Sequence, residues 1–513
     1  MTKELLQNED LSNKLLTKWF RIYFFIILTA PIWYILRIIL SNTITVEELG
    51  LFYGALGLIT LLATYNDLWL TESLQYFIPQ YWIKGEKSKI KLNVIASFLM
   101  QMFTGILIFC GLYFWAEYLA EFWFHNGEAE YVLKTMAFYF LWFNIIQLCS
   151  TIFTSFQDTC AQGATDFTRQ LGILIFTLVY WTHESLTLET YSQSRIWGVL
   201  IGVILGLILF CVKYLPVFKH IKLWTDKQEN KATLKKHFSY ALLVFLTTNI
   251  TTILGQIDLQ IVTHFIGNED AGYFTNFQSL LGIFNLVANS VITLFIFPLI
   301  SELHSKKEEQ KFRSLKTILY SYFWVFSLFC SGLFFLFWKE FAILLFSESY
   351  EMSGTLMQIV APFLIFNSRF TISFSILAWL GLIKKRFSII VFSLLVNLLL
   401  NGIFIFYLEY GIQFSALIMA ITWLVMALLW LYQVKKQGDF PIKWKFLLKN
   451  ICLITVLTLV FFNLKKVLPF GENTLKNRTI IFWIILFYTV VLLIVNYKET
   501  KDIRNRIKRL RHQ

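Results

Sequence analysis

Long apolar runs recur along the whole sequence and constrain its fold more than any other feature. About fourteen segments of about 20 residues carry few charges, and each can cross a hydrocarbon layer of about 30 Å as a helix. Because 57% of all residues are hydrophobic and only 15% are charged, a soluble domain would have too few polar side chains to cover its surface. The sequence therefore predicts an all-α polytopic membrane protein.

Basic residues are concentrated on one side of the predicted spans. The chain carries 45 Lys and Arg against 32 Asp and Glu, a net charge of +13. Most basic residues lie in runs such as 84–91, 219–237 and 498–513, which share one side if the N-terminus is cytoplasmic. Only six, Arg195 among them, fall in the predicted outer connections. Because Lys and Arg accumulate in cytoplasmic connections, we predict that both termini are cytoplasmic and that the chain lies in the inner (cytoplasmic) membrane.

This placement explains the net charge without nucleic acid, which we do not expect as a partner. The tail at 498–513 is a candidate for binding anionic membrane lipid, worth about 1 kcal/mol for each charge near the surface, although a topology signal alone accounts for it. The connection at 465–478 carries four basic residues on the predicted outer side, so the topology of the last two spans stays open.

Motifs for cofactor or metal chemistry are missing from the sequence. The six cysteines are not spaced as metal-ligand pairs, and no nucleotide-binding P-loop, zinc helix or serine nucleophile elbow occurs. The predicted outer connections are short, whereas a membrane polymerase or glycosyltransferase is expected to project a substantial outer loop. The sequence therefore predicts a protein that is not an enzyme and needs no cofactor or metal.

An internal repeat relates the two halves of the chain. The segment EELGLF at 47–52 matches EDAGYF at 269–274, an offset of 222 residues that we call the repeat spacing. The same offset pairs Phe124 with Phe346. Six predicted spans separate the copies, so both halves enter the membrane in the same direction, related by a pseudo-two-fold axis along the membrane normal. Two such lobes would enclose a cavity that opens to either side, which is the geometry of a transporter.

The repeat predicts two six-helix lobes followed by two extra C-terminal helices. The predicted segments are an N-lobe at 1–217, a basic cytoplasmic linker at 218–237, a C-lobe at 238–436, two added helices at 437–497 and a basic cytoplasmic tail at 498–513.

The matched segments also predict two helix starts near the outer surface. Thr45 and Glu48 fit a capping box, and Asn268 is the predicted helix cap of the second copy. Gly50 and Gly272 lack side chains, so we expect them to allow close helix approach at this level.

Polar side chains inside the predicted spans are the site candidates, because a charge at membrane depth is expensive. The candidates for substrate binding are Arg369, Arg37, Arg21, Asp67 and Asn289. Arg369 lies near mid-bilayer with no acid within two turns of its own helix, so it must pair across the bundle or face a wet cavity. Arg37 either lines the cavity or reaches the outer interface, and Arg21 also suits an interface anchor. Asp67 and Asn289, which correspond at the repeat spacing, would suit a cavity that opens inward.

Asp258 is a carboxylate within a predicted span, with Gln256 and Gln260 two residues to either side. Residues two apart do not share a helix face, so the three side chains do not form one stripe. Asp258 is a candidate for ion coupling or for the counter-charge of a cavity arginine. A structural hydrogen bond between helices explains it equally well.

Three stretches of the sequence resemble a known family. They are 47–70, 257–281 and 391–424, and the resemblance extends over about residues 15–435. They resemble the Wzx-like polysaccharide flippases of the multidrug/oligosaccharidyl-lipid/polysaccharide (MOP) superfamily. The pattern rests on Asp258, Gly267, Gly272, Tyr273, Asn397, Asn401, Tyr410 and Gly411. Trp69 departs from it, because the family usually has a small glycine there, and this puts the helix packing at that point in doubt.

The resemblance implies a substrate and a mechanism. The family's substrate is an oligosaccharide linked to undecaprenyl pyrophosphate, which moves from the inner to the outer leaflet by alternating access. Arg369 and Arg37 would meet the pyrophosphate, since the guanidinium fork matches phosphate geometry. Membrane lipids and polysaccharide assembly enzymes are the further partners that the resemblance suggests.

Alternatives of the same fold remain open. A lipid II flippase is one of them. A cation-coupled multidrug exporter is another, and it would need a cavity carboxylate such as Asp258. The excess of buried arginine over buried acid argues against the exporter, and the short outer connections argue against a membrane polysaccharide polymerase.

Overall fold

The computed structural model describes residues 24–25, 27–66, 70–219, 221, 227–291, 309–367, 383–436, 444–467 and 474–497. Over these residues the chain is helical and contains no β-strand. In this part of the chain eight helices are long and apolar enough to cross a membrane, and three shorter apolar helices accompany them. The predicted all-α polytopic membrane fold is confirmed.

The first compact unit comprises Met1–Thr275. Its helices are α1 (Ile27–Ser41), α2 (Val46–Asn66), α3 (Leu70–Ile83), α4 (Lys87–Phe114), α5 (Ala116–Phe122), α6 (Ala129–Ser155), α7 (Thr159–Thr182), α8 (Leu188–Lys213), α9 (Leu215–Lys219) and α10 (Lys227–Ile261), then a π-helical turn (Val262–Ile266) and the start of α11 (Asn268–Val291). Helix α6 packs against α2, α3, α4, α7 and α8, while α7 and α8 form the most extensive helix pair. Helix α7, with 24 residues, is long enough to cross a membrane but is not among the eight apolar helices. Its polar side chains, which include Asp166 and Arg169, lower its mean hydropathy.

The second compact unit comprises Asn276–Gln513. Beyond the rest of α11 it contains α12 (Glu309–Phe346), α13 (Glu351–Val360), α14 (Ile383–Asn401), a π-helical turn (Gly402–Tyr407), α15 (Ile412–Lys436), α16 (Trp444–Val467) and α17 (Thr474–Val495). The two added helices, α16 and α17, pack with α12 around the buried Tyr488 ring. The lobe boundaries predicted at 217 and 238 stay a prediction, because the compact units follow packing rather than the repeat.

The internal repeat is visible in the backbone. Helices α2 and α11 begin one repeat spacing apart, and so do α6 and α13. The break between α4 and α5 lies at Trp115, and at the same spacing α12 has a non-helical kink at Phe337. His125 and Ser347 correspond in the same way, and both have positive φ, 50° and 95°. Neither residue is glycine, so a positive φ at two matched positions is a specific sign of repetition.

The predicted close approach of Gly50 and Gly272 is confirmed. A Cβ added at Gly50 would overlap the Asn268 carbonyl oxygen, and one added at Gly272 would overlap the Val46 carbonyl oxygen. Val46 and Asn268 themselves correspond at the repeat spacing, so the contact is reciprocal, as a local two-fold relation between the two copies requires.

One of the two predicted helix caps is present. The Thr45 N–H donates to Glu48 Oε2 (2.8 Å) and the Glu48 N–H donates to Thr45 Oγ1 (3.2 Å), which is a capping box. The predicted Asn268 cap is wrong. Asn268 is the first residue of α11, and its amide donates instead to the Phe124 carbonyl oxygen (2.7 Å), which holds the connection after α5 against the start of α11.

Candidate functional site

Three arginines converge inside the first unit, in a set of residues that we call the arginine–aromatic cluster. Helices α1, α2, α6, α7 and α8 contribute to it. Its members are Trp33, Arg37, Phe52, Tyr53, Tyr139, Phe143, Arg169, Tyr191 and Arg195. Guanidinium groups within about 6 Å of ring centroids are attracted to the ring faces, and this attraction is stronger where water is excluded.

Arg195 lies at the centre of the cluster and is only 3% exposed. Four rings surround its guanidinium carbon, with centroids 5.4 to 6.0 Å away; they are Phe52, Tyr191, Trp33 and Tyr139. Among the described residues no carboxylate pairs with Arg195, and its Nε has no hydrogen-bond acceptor. Aromatic faces therefore supply the surroundings of this charge.

The prediction that Arg195 lies in an outer connection is wrong. Helix α8 begins at Leu188, and Thr187 caps it by exchanging hydrogen bonds with Thr190. Residues 190–195 are mostly polar, so the apolar run that predicted this span starts several residues after the helix does. The capping pair Thr187 and Thr190 was the available signal for a helix start about two turns earlier.

Arg37 is also buried, at 4% exposure, rather than reaching an open interface. Its guanidinium carbon lies 3.7 Å from the centroid of the Tyr53 ring, which stacks the end of α1 on α2. A guanidinium plane stacks well on an aromatic face, whereas a lysine ammonium would not. Its role in substrate binding stays a prediction.

Arg169 extends the cluster towards α7. Its Nη1 donates to the Tyr139 hydroxyl (3.2 Å), and its Nη2 lies 3.3 Å from Asp166 Oδ1, one turn earlier. The ring of Phe143 lies 5.1 Å below the guanidinium carbon. Tyr139 thus contacts both Arg169 and Arg195. The Asp166 side chain is 43% exposed, so it offsets the charge of Arg169 from the edge of the cluster rather than from its interior.

The polar residues of the opening span of the second repeat have separate roles. Gln260 donates to the Gly54 carbonyl oxygen (2.9 Å) and accepts from Trp123 Nε1 (3.1 Å), so it bonds α10 to α2 and to the connection after α5. Asp258 is 3% exposed and, two residues away, faces another side of α10. Its role in ion coupling stays a prediction.

A second buried polar group was not predicted from the sequence. Gln101 Nε2 donates to Asn144 Oδ1 (2.5 Å), and Asn144 Nδ2 donates back to the Gln101 carbonyl oxygen (3.0 Å). Asn66 also donates to Asn144, so this amide group joins α2, α4 and α6. All three amides are at most 1% exposed, and bonded amides of this kind hold membrane helices together.

The other predicted site residues cannot be placed in this geometry. Arg21, Asp67 and Arg369 lie outside the described residues, and Trp69 does too. Asn289 lies in α11, but its side chain is outside the described part. Within the described residues, no three His, Cys, Asp or Glu side chains come together as metal ligands.

Known proteins match this chain in sequence and in structure. The profile of the family described as "Polysaccharide biosynthesis protein" matches residues 15–304. An uncharacterized membrane protein, MJ1068, of Methanocaldococcus jannaschii is 26% identical over 505 residues, which cover 94% of this chain and 96% of the relative.

Solved structures share the fold. The inward closed conformation of the lipid II flippase MurJ superposes with a TM-score of 0.69 at 15% identity, covering 93% of this chain and 99% of MurJ. An inward-facing multidrug resistance MATE family transporter of the MOP superfamily gives 0.62 at 14% identity, covering 78% and 92%. A MOP superfamily transporter from Pyrococcus furiosus, described as having a binding pocket of reversed polarity, gives 0.55 at 12% identity, covering 82% and 95%. The chain therefore belongs to the polysaccharide biosynthesis protein family, with the fold of the MOP superfamily transporters.

Proposed function

We propose that this protein is a flippase that moves a prenyl-pyrophosphate-linked oligosaccharide across the cytoplasmic membrane by alternating access. It would serve cell-surface polysaccharide biosynthesis, with both termini in the cytoplasm. Family membership supports the pathway. The observation that carries the proposal is the charge inside the described part of the first unit. There Arg37 and Arg195 are fully buried and Arg169 nearly so, against one fully buried carboxylate, Asp258.

The positive charge of this interior suits the proposed substrate. A pyrophosphate linkage carries negative charge at neutral pH, and its oxygens accept paired hydrogen bonds from a guanidinium fork. In a low-dielectric interior this attraction is several times stronger than in water. Arg37, on the first helix of the N-lobe, is the proposed contact of the first unit, and Arg369 is the proposed contact of the C-lobe.

A cation-coupled multidrug exporter is the second candidate. The buried Asp258 is the observation in its favour, because a carboxylate at membrane depth is a ready site for a proton or a metal cation. Three arginines in the same unit would repel a cationic drug. We therefore rank the flippase first and use Asp258 to distinguish the two. A lipid II flippase shares the pyrophosphate chemistry, so only its glycan differs.

The test is transport by purified protein in liposomes that hold a bacterial prenyl-pyrophosphate oligosaccharide. The readout is the fraction of glycan that becomes accessible to an external sugar-specific enzyme. We expect acceleration over empty liposomes, and a loss of about tenfold or more in Arg37→Gln, which removes a charge-assisted contact worth about 1.5–3 kcal/mol. The matched control is Lys134→Gln, because Lys134 forms a partly exposed ion pair with Glu130 outside the cluster.

The opposite outcome is equally definite. If the glycan stays inside while a cationic dye is expelled under an ion gradient, the flippase proposal fails. Loss of dye export in Asp258→Asn would then identify the exporter.

A further inference from the structure

We propose that the arginine–aromatic cluster holds a small inorganic anion beside Arg195, within the first unit. The ligand class is a compact anion such as chloride, bound by guanidinium N–H and tyrosine O–H groups. The inference does not require the flippase function, since it rests on the surroundings of Arg195 alone.

The first observation is a buried charge without a counter-charge of its own. Arg195 is 3% exposed, and no carboxylate among the described residues pairs with it. Buried charges in proteins are normally paired, because removing an ion from water is expensive. Ring faces offset part of that cost, but they leave the Nε proton of Arg195 without an acceptor.

The second observation is that two tyrosines with hydroxyl donors, Tyr139 and Tyr191, have their rings within 6.0 Å of the Arg195 guanidinium carbon. Tyr191 lies one turn before Arg195 on the same face of α8, and it is 0% exposed. Its hydroxyl lies beside Arg195 and Tyr53 but forms no hydrogen bond of normal geometry with a described residue. The Tyr139 hydroxyl accepts from Arg169 Nη1, so its own O–H remains able to donate.

This donor set selects the sign and the size of the ligand. Guanidinium and phenol groups present protons, so the set favours an anion over a metal cation. Arg195 and Tyr191 are almost fully buried, and α1, α2, α6 and their own helix supply the rings around Arg195. A lipid-linked diphosphate would have to separate these helices to reach them, whereas a monatomic or small tetrahedral anion requires far less space. The source is therefore more simply a free inorganic ion than the substrate.

The test measures thermal unfolding of the full chain in detergent, with chloride replaced by gluconate at constant ionic strength. A ligand that binds only the folded state raises the unfolding temperature with concentration in a predictable way. We expect a saturable rise with chloride and with bromide. Tyr191→Phe, which removes only one hydroxyl, should weaken the apparent chloride affinity about tenfold. Arg195→Gln should abolish the chloride effect.

The control is Lys339→Gln, which breaks an exposed ion pair with Glu351 in the second unit and should leave the chloride effect unchanged. Equal unfolding temperatures in chloride and gluconate would overturn the proposal, as would a chloride effect that survives in both Tyr191→Phe and Arg195→Gln. Tyr191→Phe keeps the test decisive if Arg195→Gln does not fold.

A second arm separates the two sources of an anion. Methylene diphosphonate, a soluble diphosphate, is titrated in gluconate buffer. Stabilisation by the diphosphonate but not by chloride, lost in the Tyr191 variant, would overturn the inorganic-ion site and assign the cluster to the substrate. Glycan flipping in the liposome assay is scored without reference to chloride, so the two proposals fail separately.

Discussion

The two copies of the repeat share their backbone but not their charge. Helix starts, a kink and a residue with positive φ recur at the repeat spacing. The residue that corresponds to Phe52 is Phe274, yet Arg37 corresponds to Leu259 and Tyr139 to Ala361. The fold therefore fixes where helices begin and cross, while the buried arginines found among the described residues belong to the first copy.

The interiors of the two units also differ in their buried charge. In the first unit, buried guanidinium groups are surrounded by rings of four helices. In the described part of the second unit, buried polar pairs are neutral, such as Asn450 with Asn496 and Thr458 with Tyr488. Neutral pairs join helices, whereas an excess of buried positive charge needs an anion. We infer that the described part of the first unit binds an anion and that α16 and α17 are held mainly by packing and neutral bonds.

The largest effect is expected where the copies touch. Gly50→Ala places a methyl group against the Asn268 backbone, which cannot rotate away, and Gly272→Ala does the same at Val46. We expect either change to lower stability by about 3 kcal/mol or more, at the upper end for overpacking. Yield of monodisperse protein and the unfolding temperature are the measurements.

Gly127→Ala is the matched control, because no atom lies within 4 Å of a Cβ added there. Equal losses at Gly50 and Gly127 would show that the contact at Gly50 is not a tight one.

The second effect concerns Arg369, which the sequence places near mid-bilayer in the other copy. Arg369→Ala is expected to abolish glycan flipping while leaving expression intact, because the sequence predicts that this arginine faces a wet cavity or a partner across the bundle. The liposome assay measures it beside Lys339→Gln. Full activity of Arg369→Ala would remove Arg369 from the transport path and leave the anion chemistry to the first unit.

Backbone geometry was predictable from this sequence, whereas side-chain chemistry in the interior mostly was not. A close contact between two helix backbones requires glycine, so Gly50 and Gly272 could be recognised in the sequence as matched positions of the repeat. The surroundings of Arg195 come from four helices, and no local pattern connects Trp33 with Tyr139. The error at Asn268 has the same origin, because its partner, the Phe124 carbonyl, comes from a distant connection.

The third prediction compares the buried amide hydrogen bonds that connect helices within each of the two units. Asn144→Leu leaves the amides of Asn66 and Gln101 without their common partner, and each buried amide left unsatisfied costs about 1–3 kcal/mol. Asn450→Leu disrupts one reciprocal pair, with Asn496. We therefore expect the unfolding temperature to fall further in Asn144→Leu than in Asn450→Leu. The reverse order would mean that α16 and α17 depend more on polar bonding than the first unit does.

The smallest effect is expected from a carboxylate outside the spans. Burial alone would raise the pKa of Asp158, but its ion pair with Lys213 (2.6 Å) and its bonds from the Ala161 N–H and the Tyr214 hydroxyl lower that pKa below the ordinary value. A carboxyl with a lowered folded-state pKa stabilises the fold above its unfolded pKa of about 4, and this stability is lost as pH falls through the folded-state pKa. Because Lys213 is 43% exposed, we expect no more than about 1 kcal/mol.

Asp158→Asn isolates this charge, because asparagine still offers a side-chain oxygen that caps α7 at the Ala161 N–H. At pH 7 the unfolding temperature of the native chain should exceed that of the variant, and the difference should shrink between pH 5 and pH 3. A difference that stays constant with pH would mean that the cap, and not the ion pair with Lys213, stabilises this end of the first unit. The buried charge of Arg195 should show no such dependence in this range, since a guanidinium keeps its proton throughout.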